Sequence, residues 1–163
     1  MILGVSTSLY TTIHVIISLI AIVAGLIVVI GMASGRMMPR WTMLFLAATI
    51  LTSVTGFGFP NEHITPGIIV GILSLAVLAV ALFALYVKHD TGAWRWIYVV
   101  SAIVALWFNV FVLIVQSFQK VGALHTLAPT QSEPPFQIAQ GVALVVFVVL
   151  AILALRRYRP AII

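Results

Sequence analysis

Residues 10–40, YTTIHVIISLIAIVAGLIVVIGMASGRMMPR, decide the fold. Positions 10–32 hold no Asp, Glu, Lys or Arg. About 20 apolar residues, rising 1.5 Å each in a helix, cross a hydrocarbon core ~30 Å thick. Two arginines, Arg36 and Arg40, follow the run, whereas residues 1–12 carry neither Lys nor Arg. A secretory signal peptide has the reverse arrangement, with its positive charges ahead of the apolar segment. The stretch therefore reads as a retained transmembrane helix with the N-terminus outside.

Four further apolar runs follow, at 41–59, 66–87, 94–118 and 136–155. The chain is 63% hydrophobic and only 7% charged, while soluble domains carry about a quarter charged residues. Lipid has to be its solvent. Each run must be helical, because an open strand edge would leave backbone groups unpaired in hydrocarbon. The expected fold is all-α: a single transmembrane domain over 1–163, an integral membrane helical bundle of about five spans. Proline marks the boundaries. Pro39 follows the first span, Pro60 closes the second, Thr65-Pro66 caps and starts the third, and Ser132-Glu133-Pro134-Pro135 precedes the fifth.

Charge placement sets the expected orientation. With five spans, Arg36, Arg40, Lys88, Arg95, Arg156, Arg157 and Arg159 fall on one side, and Lys120 alone on the other. Lys and Arg concentrate in cytoplasmic loops, so the N-terminus is expected outside and the C-terminus inside. Run 41–59 is the most polar, with Thr42, Thr49, Thr52, Ser53 and Thr55. Removing it from the count would split the arginines between both sides. The formal net charge of +5 comes from these scattered end charges, with no basic stripe to track phosphates, so no nucleic-acid partner is expected.

The chain has no cysteine, which excludes disulfides, thiolate metal sites and thiol catalysis. Polar residues inside spans are costly, so their positions are informative. They gather in the outer halves. His14 and Ser18 lie in the first span, Thr49 to Thr55 in the second, and Asn109, Gln116, Gln119 and Lys120 in the fourth. Gln137 and Gln140 begin the fifth. Asn109 and Gln116, seven residues apart, share a helix face. Such groups also serve as interhelical hydrogen-bond partners, at ~1 kcal/mol each.

Imidazole and carboxylate suit a divalent metal, and His14, His63 and His125 are all expected at the outer face, beside Glu62 and Glu133. No HxxxH or HExxH spacing accompanies them. A single haem b would need His14 and a loop histidine, because only His14 lies inside a span. No cofactor is firmly implied. Nor does any nucleophile–base constellation assemble, and no acid lies within a span to relay protons. Gly67 and Gly71 form a GxxxG continued by Ser74, a close-packing pattern that also suits a homo-oligomer.

The outer connection 119–135 mixes apolar and polar residues and suits a lid over the bundle. Gln116-Ser117-Phe118-Gln119-Lys120, with Ala128-Pro129-Thr130-Gln131-Ser132-Glu133-Pro134-Pro135-Phe136, resembles a signature of small uncharacterised bacterial inner-membrane proteins of this length. The resemblance implies a multi-pass protein of the bacterial cytoplasmic (inner) membrane with its outer loops in the periplasm. It implies no activity.

The functional expectation is a non-catalytic membrane protein with an outward-facing polar pocket. His14, Asn109, Gln116, Gln119 and Gln140 would line it, with Glu133 in the roof. It would hold a small molecule, a metal or a lipid or quinone head group. Two rival classes stand beside it: a structural or accessory subunit of a larger membrane complex, and a haem- or metal-dependent redox protein.

Overall fold

The computed structural model describes residues 2, 4–60 and 64–159. Among these residues every named element is a helix. They are α1 (Thr7–Ala33), α2 (Pro39–Gly56), α3 (Pro66–Leu82, extended by a π-helical turn Phe83–Val87), α4 (Ala93–Lys120), α5 (Gly122–Leu127) and α6 (Pro134–Arg157).

Local chemistry sets the starts. The Ser6 hydroxyl accepts from the Leu9 N–H at 3.2 Å, and the Thr65 hydroxyl from that of Ile68 at 3.3 Å. Each satisfies one of the donors that a helix N-terminus leaves open. Pro39, Pro66 and Pro134 occupy the first positions of α2, α3 and α6, where the missing N–H costs nothing.

Four helices are long and apolar enough to cross a membrane: Thr7–Ala33, Pro66–Val87, Ala93–Lys120 and Pro134–Arg157. The expected second span corresponds to α2, whose 18 residues fall outside that set. Its five hydroxyl side chains and Arg40 account for the lower hydropathy. The connection expected at 119–135 contains a short helix, α5, that hydropathy had not suggested.

Helices α1 to α4 form a ring in chain order, each antiparallel to the next, closed by packing of α1 on α4. Helix α6 stands outside the ring and packs on α1 and α4. Its first turns meet the end of α4, where the Phe118 and Phe136 rings lie 5.4 Å apart, edge to face. Its last turn meets the end of α1, where a Cβ on Gly35 would sit 3.2 Å from the Arg157 carbonyl oxygen. The start of α1 and the end of α6 therefore lie at opposite ends of the bundle.

Packing is tight at one end only. The buried core includes Val28, Val29 and Met32 of α1, Phe45 and Leu46 of α2, Leu78 and Ala81 of α3, Tyr98, Val99, Ala102, Ile103, Ala105 and Leu106 of α4, and Ala154 of α6. Small residues let the axes converge there. Ala21, Ala24, Ala102 and Ala105 are fully buried, and a Cβ on Gly25 would lie 2.5 Å from Leu106 and 2.8 Å from the Phe45 ring. Ala21 and Gly25, four residues apart, form a small-residue pair that lets helices approach closely.

A polar clamp closes the same end. The Asp90 carboxylate, 5% exposed, accepts from the Tyr158 hydroxyl at 2.6 Å, and Arg95 donates to the Tyr158 carbonyl at 2.6 Å. Asp90 reaches this place through a turn in which His89, Asp90 and Gly92 have φ of 51°, 40° and 57°. Burial, and then the Asp90 carboxylate accepting its proton, hold the Tyr158 hydroxyl above the ordinary tyrosine range.

Candidate ligand cavity at the polar end of the bundle

Beyond Gly25 and Asn109 the four ring helices diverge and enclose a cavity of about 470 Å³. Its size lies within the ~300–1,000 Å³ usual for small-molecule sites. Four elements contribute: α1 from Thr11 to Ile22, α2 from Thr52 to Gly56, α3 from Gly67 to Ser74, and α4 from Phe108 to Lys120. Phe57, Phe59 and Thr65, from the α2–α3 connection, complete the wall.

Two cross-ring hydrogen bonds of one design fix the polar side chains. The Thr55 hydroxyl gives its proton to the Leu51 carbonyl at 2.7 Å, so at 2.8 Å it accepts from His14 Nδ1. The Thr49 hydroxyl likewise donates to the Phe45 carbonyl at 2.8 Å and accepts from the Asn109 amide at 3.2 Å. In each, a threonine satisfied on its own helix serves as acceptor for a neighbour. His14 is therefore protonated at Nδ1, which leaves Nε2 as its unused ring nitrogen. Tyr10 donates to the Thr55 carbonyl at 2.7 Å, and the Phe59 ring stands edge-on to both Tyr10 (5.1 Å) and His14 (5.2 Å).

Two hydroxyls break the rule. Ser18, Thr49, Thr55, Ser101 and Ser117 all donate to the carbonyl four residues earlier. The buried hydroxyl oxygens of Thr52 and Ser74 have no hydrogen-bond partner, and both residues line the cavity, from the neighbouring helices α2 and α3. Ser74 is only 3% exposed. Buried polar atoms are nearly always paired, so these two await an acceptor from water or a ligand.

Of the residues expected at the site, His14, Asn109 and Gln116 line the cavity, joined by Lys120. Gln119, Gln140 and Glu133 do not. Gln119 faces Gln131 at 3.4 Å, and Gln140 donates to the Phe111 carbonyl at 3.2 Å. Glu133 binds the Thr130 hydroxyl at 2.8 Å and the backbone N–H groups of Thr130 and Ser132. Desolvation, the largest single influence, pushes the Glu133 carboxyl up, but the bonds from Thr130 and the backbone together outweigh it and hold the carboxyl below the usual carboxylate range. The physical reason for the displacement is the place of α6. It lies outside the ring, so amides at the right height on α6 meet the outer side of α4.

The same geometry relocates the expected roof. The segment after Lys120 folds over the α4–α6 side, held by Gln131 donating to the Val115 carbonyl at 2.8 Å. His125 contacts the Phe118 carbonyl at 3.3 Å on that side and does not line the cavity. His63 and Glu62 lie outside the described residues. Among the described residues, no group of three His, Asp or Glu side chains stands together as metal ligands. Gly67, Gly71 and Ser74 all face the cavity, and a Cβ at Gly71 would press on the Phe57 ring at 3.0 Å.

No family model, curated protein or solved structure matches the chain. The cavity's own chemistry is what remains to be interpreted.

Proposed function

We propose that this chain is a five-span membrane protein that binds an amphipathic small molecule, without catalysis, in a cavity opening to the outer face. The observation that carries the binding is the pair of unpartnered hydroxyls, Thr52 of α2 and Ser74 of α3, in the lining of one otherwise largely apolar chamber.

Several features support the topology. Helix α2 runs antiparallel beside α1 as one wall of the ring, and its 18 residues span about 27 Å at 1.5 Å per residue. Counting it as a crossing agrees with α1 beginning and α6 ending at opposite ends of the bundle. It also places seven of the eight Lys and Arg residues at the clamped end, which the positive-inside preference makes cytoplasmic. The resemblance of residues 116–120 and 128–136 to bacterial inner-membrane proteins favours the cytoplasmic membrane of a bacterium.

The natural absence of cysteine makes the topology directly testable. Single cysteines at Ser34 and Gly122 should respond oppositely to a membrane-impermeant maleimide applied to intact cells, with only the second labelled. Equal labelling would overturn the five-span arrangement. For the cavity, small molecules extracted from purified wild-type protein would be compared by mass spectrometry with those from H14L/Q116L. An unchanged extract, with both proteins equally folded, would count against a ligand at this site.

A further inference from the structure

We infer that the cavity's ligand is a single-chain amphiphile with an acid head at Lys120 and a second oxygen function near Ser74. This rests on the cavity reading above and adds the ligand's chemical class to it.

Charge selects the head. Among the described residues His14 and Lys120 are the ionisable side chains lining the cavity, with no Asp or Glu beside them, and Lys120 is the one that carries charge while His14 is the neutral Nδ1–H tautomer. A low-dielectric chamber with an ammonium and no described acid favours an anion over a cation. Lys120 is also out of place by the rule that orders the other seven basic residues, which supports a role beyond orientation. Neither Lys120 nor Gln116 has a hydrogen bond or ion pair among the described residues, and both sit in the last turns of α4 at the mouth.

The walls select the body. Between mouth and floor the lining is Leu19, Ile22, Val70 and Val112, with the Phe108 ring. A volume of about 470 Å³ suits one drug-sized molecule and is small for a two-chain lipid. The floor selects the far end. Ser74, eight residues beyond Pro66 in α3, offers an unused proton there, and a bare methyl terminus would leave it unpaired at a cost. On α4, Gln116 near the mouth and Asn109 near the floor are seven residues apart, a rise of about 10 Å.

The test uses the full chain in phosphatidylcholine nanodiscs, with binding measured by equilibrium dialysis for 10-hydroxydecanoate, decanoate and decane-1,10-diol. The hydroxy acid should bind best. Lys120→Gln should weaken both acids about tenfold, the value of one charge-assisted bond, and leave the diol unchanged. Ser74→Ala should weaken the hydroxy acid and the diol and leave decanoate unchanged. A diol that binds as tightly as the acids, or acids indifferent to Lys120→Gln, would overturn the acid head. Displacement of the probe by phosphatidylglycerol at matched mole fraction would overturn the single chain. Cavity-filling Ser74→Phe and Val112→Trp separate the two levels. If a variant that melts like wild type still binds every probe, the cavity reading itself fails; if it binds none, only the ligand class is at issue.

Discussion

His14 Nδ1 stands 2.8 Å from the Thr55 hydroxyl oxygen, whose single proton is already given to the Leu51 carbonyl. The imidazole is thereby fixed as the Nδ1–H tautomer, with Nε2 as the acceptor edge. Histidine-selective ¹⁵N NMR of the neutral protein should show a protonated Nδ1 and an unprotonated Nε2. Thr55→Val removes the acceptor and should convert His14 to a mixture of tautomers. An Nε2–H signal in the wild type would sink the proton assignment.

Ser74 and Thr52 should be nearly free to change in the empty protein. Their hydroxyls make no bond, so Ser74→Ala should alter unfolding free energy by no more than about 0.5 kcal/mol. Asn109→Leu, by contrast, breaks the bond to Thr49 and should cost about 1 kcal/mol. Denaturation in mixed micelles measures both. A Ser74→Ala variant as damaged as Asn109→Leu would mean that the serine is paired after all.

The all-helical architecture, four of the expected spans and three of the cavity's polar residues were legible in the sequence for a simple reason. An uninterrupted apolar run has one physical solution in lipid, and a polar residue inside it must face protein. His14, Asn109 and Gln116 stood out on that ground. Rotation and ring order were not legible. Whether the Gly67-Gly71-Ser74 stripe faces a partner, lipid or a chamber depends on how α3 is turned, which hydropathy alone does not encode. Gln140 sits at the right height and on the wrong side, because nothing in the sequence says that α6 docks outside the ring. Phe57 and Phe59 read as the end of the second apolar run, although they lie beyond α2 and wall the cavity. The bond between Asp90 and Tyr158 joins residues 68 apart with no periodic signal between them.

The end of the cavity is set by Gly25, whose missing Cβ lets α1 approach Phe45 and Leu106. Gly25→Leu would insert a side chain into a packed junction of three helices. Overpacking of this kind costs about 1–3 kcal/mol. The melting temperature in detergent should fall, and the helices should separate below the present floor. Gly122, with open space around its Cβ position, is the control. Gly122→Ala should leave the melting temperature unchanged, and an equal loss at both sites would refute a packing role specific to Gly25.

The Tyr158 clamp should make stability sensitive to alkali. Its hydroxyl is held above the ordinary tyrosine range by burial and by the Asp90 carboxylate, so the folded state keeps a proton that the unfolded chain loses near pH ~10. A group with a raised folded pKa contributes its full stabilisation below the unfolded value and loses it as pH climbs through the folded one. Unfolding free energy should thus be insensitive to this group at pH 8 and decline above pH ~10. Tyr158→Phe should cost about 1–3 kcal/mol at pH 8, because the buried Asp90 carboxylate loses a donor, and its alkaline decline should be shallower than that of the wild type. Parallel pH profiles for the two proteins would show that the clamp does not couple folding to the tyrosine proton. The position of the clamp gives this a mechanical meaning. It ties the turn between α3 and α4 to the end of α6, opposite the cavity, so its release should loosen the packed end first and leave the His14–Thr55 bond in place.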